Sequence, residues 1–152
     1  MRSLTRLGEF AGFPTIAAEA LESRQLPMQE FGRMQTREAI ISFSQSEKVK
    51  SGLIWCSQCL QLALNLPPEG QQGAMQVVRS LLAMIVNESQ LARQASKDKI
   101  WLEVGKSLNT ARVMLDSKVE EEATYHLTQA LSQVNRIGQQ AMTELLNQGL
   151  LT

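Results

Sequence analysis

The sequence predicts an all-α fold: an antiparallel, up-down four-helix bundle with an extended, partly helical N-terminal arm. Three observations predict it. Apolar residues recur every three and four positions along four long stretches, the period of a helix with one covered face. The joins between the stretches are short, so neighbours in sequence should be antiparallel neighbours in space. The one run of period two, Ile41-Ser42-Phe43, falls inside a helical stretch, so no β signal competes.

Residues 1–35 form the arm and 36–152 the bundle domain. Gly8, Gly12, Pro14, Pro27 and Gly32 punctuate the arm, leaving 15–25 as its one short helical stretch. The arm nevertheless holds Phe10, Phe13 and Phe31, three of the four phenylalanines in the protein. A solvated linker has no physical reason to carry such groups, so the arm is expected to dock on a helix face, of its own subunit or of another.

Helix A is predicted over 37–66, with Thr36 as N-cap. Pro67-Pro68 stops it, because proline supplies no amide donor and disfavours helix in the residue before it. From Ser51 to Pro68 there is no ionisable side chain apart from the two thiols. Leu53, Cys56, Leu60 and Ala63 share one face of that stretch, and Trp55, Cys59, Leu62 and Leu66 an adjoining one. A helix apolar over about half its circumference is covered from several directions, by its own bundle or by a partner.

PPEGQQG reads as the clearest loop. Helix B is predicted over 72–95, with Ala74, Val77, Leu81, Met84, Ile85, Ala92 and Ala95 on its core face. Helix C follows SKDK, with Ser96 or Asp98 as N-cap, on a stripe of Trp101, Val104, Leu108, Ala111 and Leu115. Helix D starts at the capping-box spacing of Ser117 and Glu120, and Gly149 suits its end. Its stripe is Ala123, Leu127, Ala130, Val134, Ile137, Ala141 and Leu145. The spacing from Leu115 to Val119 also permits C and D to be one continuous helix.

The chain has 152 residues, normal for one domain, with 43% apolar and 5% aromatic content, so its core is aliphatic. Fifteen basic residues balance fifteen acidic ones, and the balance also holds locally. No segment is basic enough to release many counterions from a nucleic acid, so nucleic-acid binding is disfavoured. The charge-free stretch is broken by Ser51, Ser57, Gln58, Gln61 and Asn65 and is shorter than the ~20 apolar residues a membrane span needs. The N-terminal residues MRSLTRLGEFAGFP hold no apolar run of signal-peptide length. A cytoplasmic, reducing location is expected.

Trp55-Cys56-Ser57-Gln58-Cys59 resembles the WCxxC motif of the thioredoxin family. That chemistry needs the first sulfur at a helix N-terminus, where backbone amides stabilise a thiolate. Here the pair lies about five turns inside a predicted helix, at 3.6 residues per turn, which points to structural cysteines. A closed zinc site needs four ligands, and His126 is the one histidine available to join the cysteines.

His126 in a helical bundle is similar in setting to histidine phosphotransfer domains. Their motif continues with lysine and glycine three and four residues on, where this chain has Gln129 and Ala130. Glu88 falls in the middle of the predicted helix B face, where a carboxylate must pair, take up a proton or reach water. Arg112 and His126, at the edges of the C and D stripes, are its expected partners, making Glu88, Arg112 and His126 the candidate buried polar group. Helix D is also rich in glutamine, which is cheaper to desolvate than a charge.

The function expected is a non-enzymatic helical-bundle protein-protein interaction module that self-associates, with a homodimer favoured. Its contact residues are Trp55, Leu62 and Leu66 on helix A and Phe10, Phe13 and Phe31 on the arm, following the aromatic bias of binding hot spots. No catalytic residue, metal or cofactor is assigned. The alternatives are phosphotransfer through His126 and a small apolar ligand held near Met75, Met84 and Met114, since methionine walls adapt to guests.

Overall fold

A computed structural model describes the backbone of residues 26–152 and the side chains from Gln35 onward. Four helices follow in order: α1 (Leu26–Leu64), α2 (Pro68–Ala95), α3 (Ile100–Asp116) and α4 (Glu120–Asn147). No strand occurs among the described residues. Contacts divide the chain into two units, 1–37 and 38–152. The second unit is the bundle. The helix expected over 15–25 lies outside the described residues.

The helices pack in a ring. In α1 and α2, Lys48 meets Glu88, and Gly52 approaches the Ile85 side chain. Arg79 of α2 reaches the end of α3, donating from Nη2 to the Leu115 carbonyl at 3.2 Å and lying beside Asp116. Ser107 of α3 donates to Gln133 Oε1 of α4 at 3.1 Å. The backbone of α4 at Gly138 closes the ring on Ser46 of α1. Inside the ring lie Leu53, Leu60, Leu82, Trp101, Leu108 and Leu127, with Val49, Val78, Val104 and Val134 filling between them. Every residue of the predicted C and D stripes is buried, as are Leu53, Cys56, Leu60 and Ala63 of α1.

Several local expectations need correction. Helix α1 starts at Leu26 and passes through Thr36, so Thr36 is no N-cap. Pro27 falls in the first turn, where a missing amide breaks no bond, and a single interior glycine such as Gly32 costs a helix about 1 kcal/mol. The same rule shortens the loop to 65–67, since Pro68 opens α2 in the first helical position instead of lying in a loop.

The predicted helix B face is also rotated. Met75, Val78, Leu82, Ile85, Val86, Ser89 and Ala92 are buried, while Val77, Met84 and Ala95 are exposed. At the start of α3, Asp98 Oδ1 accepts from the Ile100 amide at 2.9 Å. Ser96, the other candidate cap, instead bonds the Ser42 hydroxyl at 2.8 Å and ties α1 to the α2–α3 join.

Helices α3 and α4 are separate. The capping box does not form, because Ser117 closes α3 instead of opening α4. The Val119 amide donates to the Met114 carbonyl at 2.9 Å and the Lys118 amide to Leu115 at 3.1 Å. These are the paired bonds of a Schellman ending, with Lys118 in the left-handed position at φ 59. Helix α4 ends in the same way, with Gly149 at φ 70 and the Leu150 amide bonding Leu145. Glycine takes that conformation freely, whereas a residue with a Cβ is strained in it. Lys118→Gly should therefore raise stability by about 0.5–1 kcal/mol, read as a higher urea midpoint. A lower midpoint would mean that the lysine side chain contributes more than its backbone strain costs.

Candidate functional site

Two residues one position apart on a helix point about 100° apart, so two seams of the same spacing run side by side along α1. The first, Val49, Leu53, Cys56, Leu60 and Ala63, is buried in the bundle. The second, one residue behind, carries Trp55, Cys59 and Leu62; Leu66, expected on the same helix face, lies beyond the end of α1 in the loop. Trp55 and Leu62 are exposed, Leu66 is 43% exposed, and Cys59 packs partly against the core. The bundle thus covers the first seam of α1 and leaves Trp55 and Leu62 of the second exposed. Phe10 and Phe13 lie outside the described residues, as does the Phe31 side chain.

The same doubling occurs on α2. Behind the buried seam of Met75, Val78, Leu82, Ile85, Ser89 and Ala92 runs Ala74, Val77, Leu81, Met84, Glu88, Leu91 and Ala95. Trp55, Leu62, Val77, Met84 and Leu91 each keep between 54% and 67% of their surface exposed. Sequence reasoning placed Val77 and Met84 in the core and assigned Leu91 no role. A signal was present in Glu88: of two seams, the one that carries a carboxylate faces water in a single chain, because desolvating an unpaired charge would cost more than the flanking aliphatics return.

Glu88 is partly exposed and pairs with Lys48 of α1 at 2.8 Å. The partners expected for it are placed elsewhere. Arg112 is exposed. His126 is half-buried with its ring edge-on to Tyr125, centroids 5.3 Å apart. The three residues do not form a buried polar group. Gln129 donates its amide to the Tyr125 hydroxyl at 3.0 Å, on the exposed side of α4.

The cysteines are free thiols, and burial pushes the Cys56 thiol up to about 11, with Cys59 nearby adding to the shift. That direction opposes the thiolate a redox motif requires. No group of three or more metal-binding side chains occurs among the described residues. A groove of about 410 Å³ beside Met75 is lined by Arg79, Lys118, Glu120 and glutamines, and neither Met84 nor Met114 borders it. Among the described residues, no helix is long and apolar enough to cross a membrane.

Compared with known protein families, curated proteins and solved structures, the chain shows no significant match. The functional reading therefore stands on the geometry alone.

Proposed function

We propose that this chain is a non-enzymatic helical interaction module that associates with itself through the outer face of α1. One observation carries the reading: Trp55 and Leu62 stand exposed on a stretch that holds no acidic or basic side chain between Ser51 and Pro68. Exposed apolar groups scattered among charges need no explanation, whereas a contiguous set in seam spacing is a docking surface. Each large apolar side chain buried there returns up to about 1.5–3 kcal/mol. The leading segment, with Phe10, Phe13 and Phe31, is the second candidate contact. Free thiols at Cys56 and Cys59 suit a reducing, cytoplasmic setting.

Sedimentation of the full chain at several concentrations tests this. Trp55→Ala should weaken association by at least about 30-fold, the 2 kcal/mol of a hot spot. Stability of the fold should stay within about 0.5 kcal/mol, as for surface substitutions away from the core. An association constant equal to the wild type would remove Trp55 from the interface. A wild-type chain that stays monomeric throughout would refute self-association.

A further inference from the structure

From the second seam of α2, and resting on the self-association just proposed, we infer that α1 and α2 together form a single two-helix face that docks on the same face of a second copy. The outer seams do not point apart. Lys48 and Gly52 continue the outer seam of α1, at the spacing 48, 52, 55, 59 and 62, and these two meet α2 at Glu88 and Ile85. Glu88 lies on the outer seam of α2. Both seams therefore flank one junction, from the same side.

The helices run antiparallel, so each step forward on α1 is one step back on α2. Starting from Lys48 opposite Glu88, Trp55 falls in register with Leu81 and Leu62 with Ala74. Leu62 stands beside the small Ala74, which gives that end of the face relief a partner seam packs into, while Trp55 and Leu81 form a bulky pair. From 74 to 91 the face is about 25 Å long at 1.5 Å per residue, and it is two helices wide, about 20 Å. A patch of that size covers about 500 Å² in projection, so two copies bury about 1,000 Å², the lower bound for a specific interface.

Charge selects the occupant. The face has no ionisable side chain from 51 to 68 other than its thiols. Over 70–87 the one charged residue is Arg79, which turns away to the Leu115 carbonyl and Asp116 on α3. Lys48 and Glu88 neutralise each other at one end. A charged face would repel its own copy, whereas this one meets itself without like-charge contact. A two-fold axis between the molecules brings the same face of each copy together, so two copies can dock isologously.

The test uses full-length variants in sedimentation, with circular dichroism to confirm that each is folded. Val77→Glu with Met84→Glu on α2 should lower the association constant more than 100-fold, as should Trp55→Glu with Leu62→Glu on α1. Val113→Glu on the exposed side of α3 should change it less than 3-fold. In a Cys59→Ser background, Met84→Cys should yield a covalent dimer with a short bismaleimide. If the α1 pair dissociates the protein while the α2 pair does not, the two-helix face is wrong and association through α1 survives. The absence of a covalent dimer from a protein that still associates would also overturn it. A wild-type chain that is monomeric at every concentration, its face covered by its own leading segment or by nothing, would overturn both proposals.

Discussion

Replacing Leu108 with alanine should lower the unfolding free energy by about 2–5 kcal/mol, the range for buried leucine truncations. Leu108 is completely buried at the centre of the α3 stripe, between Val104 and Ala111. Truncation removes its transfer free energy and leaves a cavity that the surrounding helices close only in part. In a chain of this length, 1 kcal/mol corresponds to about 2–4 °C, so the melting temperature should fall by roughly 4–20 °C. Leu62→Ala is the internal comparison. It deletes the same atoms from a site 67% exposed, and should change the stability of the fold by under about 0.5 kcal/mol. Equal losses at the two positions would mean that Leu62 is already covered, by its own chain or by a second copy.

Gly138→Leu should cost about 3 kcal/mol, at the upper end of the overpacking range. Gly138 is buried where α4 crosses α1, and a Cβ built on it would lie 2.9 Å from Ser46 Oγ. That hydroxyl is held by its 2.8 Å bond to the Phe43 carbonyl. Alanine asks for a small shift of one serine and gains about 1 kcal/mol of helix propensity, so Gly138→Ala should be nearly neutral. Leucine brings three further carbons into a contact with no room for them, and must separate the helices or leave its rotamer. Urea unfolding of the two variants measures the difference. Wild-type stability in Gly138→Leu would show that α1 and α4 are not closely packed at this point.

Both effects depend on which side of a helix faces inward, and that was legible in the sequence to different degrees. Helices α3 and α4 have a single apolar seam each, so Trp101 to Leu115 and Ala123 to Leu145 left no choice of face. On α2 the two seams one residue apart match the same period almost equally well, and the residues chosen from periodicity mixed the two. Spacing measures repetition, not direction. Glu88 carried the missing direction, because a carboxylate is far costlier to bury than to expose. Its expected partners, Arg112 and His126, lie on α3 and α4, whereas its actual partner is Lys48 on α1.

Helix ends were the other weak point. Pro27 and Pro68 were read as breaks, although proline in a first turn costs no hydrogen bond. Ser117 fits the start of α4 by spacing, yet it closes α3. The left-handed turn at Lys118 has no glycine to announce it, whereas the same turn at Gly149 was readable.

By itself, the sequence determined an all-helical bundle and the buried seams of α1, α3 and α4, while leaving the break between α3 and α4 open. These follow from the 3.6-residue period and short joins, which are local properties of the chain. Tertiary structure alone decided that Lys48 neutralises Glu88 and that Gly138 gives α1 and α4 their close approach. Those outcomes depend on what a neighbouring helix places opposite each residue, and nothing in a residue's own segment encodes its neighbour.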